Sequence, residues 1–175
     1  MTHPTFTPFP PLTTERLTLR QLSLNDDHAV FALRSDSNIN QYLGRQPSRT
    51  VEDARKFIGN ITEAVRKDES IYWAITLPGC QTFVGTICLF DFSGQPPKCE
   101  IGYELLTQFQ GKGIMLEAAS KAVEYAVQTV KVQTIEAYTH QHNRASTKLL
   151  EKLGFKQSPE PDKGNPDFYV WRYGK

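Results

Sequence analysis

The sequence predicts a mixed α/β (α+β) domain, and three observations carry that prediction. From Ile71 to Leu106 apolar and polar side chains alternate with period two, which reads as an antiparallel meander. Before it, apolar residues recur at three- and four-residue steps, as on helices packed by one face. After it, Glu104-Leu-Leu-Thr-Gln-Phe-Gln-Gly-Lys-Gly-Ile-Met-Leu-Glu117 takes an apolar strand through a glycine-bearing loop into an amphipathic helix.

The elements follow in order. Residues 1–12, with four prolines, read as an extended arm. Arg16–Leu22 alternates as a strand, and Asn25-Asp26-Asp27 opens a helix carrying Ala29, Val30, Ala32 and Leu33. Thr50-x-x-Asp53 is a capping pattern ahead of a longer helix with Ala54, Phe57, Ile58, Ile61, Ala64 and Val65 on one stripe. The meander runs Ile71–Leu77, Thr82–Phe92 and Cys99–Leu106, with turns at Pro78-Gly79 and Gly94–Pro97. The helix after the glycine loop extends to Val130; then come strand Thr134–Thr139, a helix capped by Asn143 and ended by Gly154, strand Phe155–Gln157, a proline-rich loop and strand Phe168–Arg172.

The glycine loop is the chemically telling segment. Gly111 and Gly113 have no Cβ, so their amides can approach an anion, and the helix start behind them offers unpaired N–H groups and the positive end of a dipole. Leu116 breaks a G-x-G-x-x-G fingerprint and no Walker lysine-serine pair follows, so the two common nucleotide loops are excluded. What remains, Gln108-x-x-Gly111-x-Gly113, resembles the acyl-CoA pyrophosphate loop of the GNAT N-acetyltransferase superfamily. Asn143-Arg-Ala-Ser146-Thr-Lys-Leu-Leu-Glu-Lys-Leu-Gly154-Phe155 is similar to that superfamily's second signature. Thr14–Arg20 with Leu22 and Asp26-Asp27, Trp73-Ala-Ile75 and Glu100-Ile-Gly-Tyr103 resemble its RimJ/RimL-like branch. The resemblance implies one GNAT domain over 1–175: a central mixed, mostly antiparallel twisted sheet flanked by helices, with splayed strands forming an acyl-CoA cleft.

The same resemblance implies acetyl transfer from acetyl-CoA to a primary amine, on a protein N-terminus of ribosomal-protein type or on a small molecule. Backbone groups of Leu105 and Leu106 would pair with the pantetheine arm. Gln108, the amides of Gln110, Gly111, Lys112, Gly113 and Ile114, and Asn143 would complete the cofactor site. Lys112 either lends its charge to the phosphates or points to solvent. Acetyl transfer needs an acid for the departing thiolate and a base for the amine. Many relatives carry a tyrosine acid where this chain has Leu150, so Ser146 is the expected acid. Glu100 and Glu104 fall on one face of a strand, with Glu100 preferred as base and Glu104 nearer the cofactor arm. His140 and His142 are the other bases to weigh. The missing tyrosine keeps open a second reading, a non-catalytic acyl-CoA-binding module.

Composition sets the outer bounds. A chain of 175 residues with 39% apolar and 11% aromatic content suits one globular domain, expected as a monomer or homodimer. Twenty basic against nineteen acidic residues, net +1, argue against nucleic acid or membrane as a partner. No apolar run is long enough to span a bilayer and the first residues lack a signal-peptide pattern, so a cytoplasmic protein is expected. Cys80, Cys88 and Cys99 are odd in number without C-x-x-C spacing, and no His/Cys cluster or acidic calcium loop is present, so no metal is expected.

Overall fold

The computed structural model describes residues 4–174. Its strands are β1 (Leu12–Thr13), β2 (Thr18–Gln21), β3 (Ile71–Thr76), β4 (Phe83–Ser93), β5 (Lys98–Leu105), β6 (Thr134–His140), β7 (Lys156–Pro161) and β8 (Phe168–Gly174). The helices are α1 (Asp27–Ser35), α2 (Ser37–Asn40), α3 (Val51–Arg66), α4 (Ile114–Tyr125) and α5 (Arg144–Lys152). One eight-stranded sheet has the order β1-β2-β3-β4-β5-β6-β8-β7. All neighbours are antiparallel except β5 and β6.

Adjacent residues of β3 show how the layers stack, because consecutive strand side chains point to opposite faces. Tyr72 meets Phe57 of α3 edge-on, whereas Trp73 meets Tyr125 at the end of α4. Helices α1 and α3 therefore cover one face and α4 the other, and every residue of β3 is buried.

The parallel pair decides where a cleft forms. β5 and β6 are in register only at Lys98↔Thr134, Cys99↔Ile135 and Glu100↔Glu136, after which β5 runs on to Leu105 and β6 to His140 unpaired with each other. Glu136 braces the fork: its carboxylate accepts from Lys98 Nζ and Arg172 Nε, each at 2.8 Å. Burial alone would raise the Glu136 pKa, but these two cations hold it below its ordinary value.

Local signals placed the helix starts well. Thr50 and Asp53 form the reciprocal capping box of α3, and Asn143 caps α5 by accepting from Ser146 N at 3.1 Å. Other segments differ from expectation. Residues 1–3 of the proposed arm lie outside the described residues, and the rest packs on the domain: Phe6 is buried against Phe92, its amide donates to Asp68, and Pro10 O accepts from Trp73 Nε1 at 2.8 Å. The long helix gives way after Tyr125 to a wider π turn, Ala126–Val130, closed by Lys131 at φ 67°. The final hairpin inserts β8 between β6 and β7, and β7 continues to Pro161.

Candidate active site

The glycine loop joins β5 to α4 through two left-handed glycines. Gly111 and Gly113 both adopt φ +74°, a backbone conformation open to glycine and costly to other residues. Open space surrounds the position a Cβ would take at Gly111. Among the described residues, the amides of Gly111, Lys112, Gly113 and Ile114 have no acceptor, as is usual for the first amides of a helix. The Gln110 amide departs from expectation, since it donates to Thr107 O at 3.2 Å while its side chain donates to Leu105 O at 3.0 Å. Lys112 folds back so that its ammonium donates to Gln108 O at 2.9 Å, and so neither side chain is aimed at the loop's open face.

A brace from far upstream holds this loop. Arg16 donates to Lys112 O at 3.1 Å and to Glu117 at 2.6 Å, while the Arg16 amide and the Thr14 hydroxyl also bond Glu117. Burial pushes the Glu117 pKa up, and these bonds more than offset it. With the Lys112 carbonyl engaged by Arg16, the peptide plane is fixed. These residues lie about a hundred positions apart in sequence, so helical and strand periodicity carry no signal for the contact.

Beyond the loop, the fork presents a hydroxyl pair. Tyr103 on β5 and Ser146 in the first turn of α5 share a hydrogen bond of 2.7 Å, in which either oxygen can donate. Burial pushes the Tyr103 pKa up to about 12, against the opposing bond to Ser146, so its proton is retained at neutral pH. Ser146 is thus not spent on its own helix backbone. Leu150 is fully buried in the core. The expected pairing of the cofactor arm with Leu105 and Leu106 meets prior commitments: Leu106 N donates to Val84 O, Leu106 O accepts from Phe109 N, and Leu105 O holds Gln110. The free edge of β5 facing β6 instead begins at Ile101.

Glu100, Gly102 and Glu104 line the opposite face of β5, across from Phe90, Cys88 and Thr86 of β4. Glu100 stands at the last paired position before the fork. Burial, then Asp91 and Glu136, raise its pKa, with Lys98 opposing. Glu104 is claimed by Arg45, which reaches it from the segment after α2 and also donates to Asn40 Oδ1 at 2.8 Å. That corrects its expected place beside Glu100 as a free proton acceptor. Thr107 further ties α2 through Asp36 at 2.9 Å, and Tyr42 stacks on His140 with ring centroids 5.3 Å apart. The α2 segment consequently crosses from the end of β5 to the end of β6. His140 Nδ1 accepts from the His142 amide, so that nitrogen is occupied. Cys99 points away from the carboxylates into the core, and burial raises the Cys88 and Cys99 thiols to about 12, above the range of a reactive thiolate.

Among the described residues no group of three or more His, Cys, Asp and Glu side chains could hold a metal, and no helix is long and apolar enough to cross a membrane.

The family model "Acetyltransferase (GNAT) domain" matches residues 16–156. The uncharacterized N-acetyltransferase YoaA of Bacillus subtilis (strain 168) is 31% identical over 149 residues, covering 85% of this chain and 84% of that protein. The [ribosomal protein uS5]-alanine N-acetyltransferase of Escherichia coli (strain K12) is 31% identical over 104 residues, 57% of this chain and 52% of that one. In fold, RimL, the ribosomal L7/L12 alpha-N-protein acetyltransferase solved with coenzyme A, superposes with a TM-score of 0.84 at 16% identity, covering 94% and 97% of the two chains. The fork, the glycine loop and the match over 16–156 place this chain in the GNAT family, as an acetyltransferase with relatives of the RimJ/RimL kind.

Proposed function

We propose that this acetyltransferase moves the acetyl group of acetyl-CoA to a primary amine, either the α-amine of a protein N-terminus, as in ribosomal proteins, or a small-molecule amine. The observation that carries the reading is the fork after Glu100, with four unpaired amides at its loop end and the Tyr103–Ser146 hydroxyl pair between β5 and α5. The printed activity of the uS5-alanine relative and the coenzyme A complex of RimL support it.

Bound acetyl-CoA supplies a thioester that an amine can attack. The amides of Gly111, Lys112, Gly113 and Ile114 hold the diphosphate, and Arg16 keeps the loop in shape. Tyr103 donates to Ser146, leaving the serine proton free for the departing thiolate. Glu100 takes the amine's proton, directly or through water; its raised pKa matches a base that must work near neutrality better than a free carboxylate would. Glu104 anchors the α2 segment through Arg45.

A thiol-release screen with acetyl-CoA against amino acids, polyamines, aminoglycosides and N-terminal peptides tests the activity. Calorimetry with CoA on Gly111→Ala tests the loop, because a Cβ at φ +74° costs about 1–2 kcal/mol of backbone strain and shields the amides. A tenfold or greater loss of affinity is expected. CoA binding with no acceptor-dependent thiol release from any amine would instead identify a non-catalytic acyl-CoA-binding module.

A further inference from the structure

A cavity of about 460 Å³ opens to solvent between the end of α1 and the start of α3, lined among others by Arg34, Ser48, Arg49, Asp53 and Phe57. Two arginines are among its lining residues. The Arg34 guanidinium carbon sits over the Phe57 ring, 3.8 Å from its centroid. Its Nε is buried and has no hydrogen-bond partner, and among the described residues no carboxylate lies within ion-pair distance of Arg34 or Arg49. Asp53, the acidic residue in the lining, accepts the amides of Arg49 and Thr50 through Oδ2. A buried guanidinium N–H without an acceptor is unfavourable unless a partner arrives from outside.

The position says what kind of partner. Phe57 meets Tyr72, whose hydroxyl donates to Thr86 Oγ1, and Thr86 pairs with Glu104, so the cavity borders the carboxylate-bearing face of β5, the face from which an amine would approach. Ser48 N donates to Arg34 O at 3.0 Å, which pins the loop carrying Arg49 beside it. We propose that Arg34 and Arg49 form an oxyanion subsite that recognises a carboxylate or phosphate group carried by the acceptor, at a distance from its reacting amine. This deepens the transferase reading and rests on it: the preferred acceptors carry an acidic group. The two arginines are binding residues and take no part in proton transfer.

Two measurements test this. In the first, the Arg34 Nε–H resonance, assigned by its loss in Arg34→Lys, is followed while inorganic phosphate or succinate is added to the whole protein. A saturable shift is expected, weakened in Arg49→Gln, whose exposed side chain can be changed without disturbing the core. In the second, thiol release is compared for the dipeptide amides Ala-Asp, Ala-phosphoserine and Ala-Asn, the first two separating carboxylate from phosphate as the source of the anion. KM for the better acidic acceptor should rise about 10- to 100-fold in Arg49→Gln and in Arg34→Gln, the loss expected for one charge-assisted contact, with kcat and the Ala-Asn values little changed. An Arg34 resonance that ignores both anions, or an equal loss for Ala-Asn, overturns the subsite. A resonance that shifts in a protein that turns over no amine keeps the anion site and sinks the transferase reading instead.

Discussion

Ser146 carries two duties through different atoms. Its amide completes the Asn143 cap, while its hydroxyl turns to Tyr103. Replacing it with alanine should therefore leave α5 intact and strike turnover: Ser146→Ala is expected to lower kcat roughly ten- to a thousandfold with CoA affinity nearly unchanged, read from steady-state rates beside calorimetry. Tyr103→Phe should show a smaller loss in the same direction. Glu100 makes a prediction about pH. Its folded pKa is raised by burial and by Asp91 and Glu136, so the folded state binds more protons than the unfolded one over the window just above the ordinary carboxylate range. Stability conferred at low pH is then lost as pH rises through the folded pKa. Glu100→Gln should match the wild type in urea at acidic pH and exceed it at neutral pH, while flattening the acidic limb of the rate profile. A variant with unchanged stability and unchanged profile would move the base elsewhere, with His142 and the free nitrogen of His140 next.

At the scale of elements, what the sequence revealed and what it hid divide by distance along the chain. The caps of α3 and α5 and the alternation of β5 are written within a few residues, so they could be read directly, whereas β3 is buried on both faces and does not alternate. The loop glycines were legible for the same reason, since their φ of +74° is a local demand. The Arg16–Glu117 brace, the Arg45–Glu104 pair and the Tyr103–Ser146 bond join residues that only the folded sheet brings together, and no periodicity encodes them. The prolines of the arm signal extended chain, but extension does not say what the chain lies against, and that contact too is long-range. Phe6 is a core residue, 1% exposed. Phe6→Ala should cost about 3–5 kcal/mol in urea denaturation, as a core aromatic does, whereas a residue on a free arm would cost nothing measurable.

For the whole molecule, the fork depends on three strands being held together just where two of them part. Glu136 does this from β6, taking Lys98 from β5 and Arg172 from β8. Its depressed pKa means the stabilisation is present above the unfolded carboxylate pKa and lost as pH falls through the folded one. Glu136→Gln should cost about 1–3 kcal/mol near neutral pH, since Lys98 and Arg172 reach solvent and a fully buried pair would cost more, and the deficit should vanish in acid. CoA affinity should fall with it, because the width of the fork is set at this point.

The two rims of the sheet carry a further consequence. At one side lies β1, only two residues long and preceded by Pro10-Pro11; at the other lies β7, whose exposed residues include Lys156, Pro159, Glu160 and Pro161. A proline lends no backbone donor, and charge on a short rim discourages another chain from lying alongside. Self-association by extending the sheet from copy to copy is thereby disfavoured at both ends, and heating should yield disordered precipitate rather than fibrils seeded from the native rims.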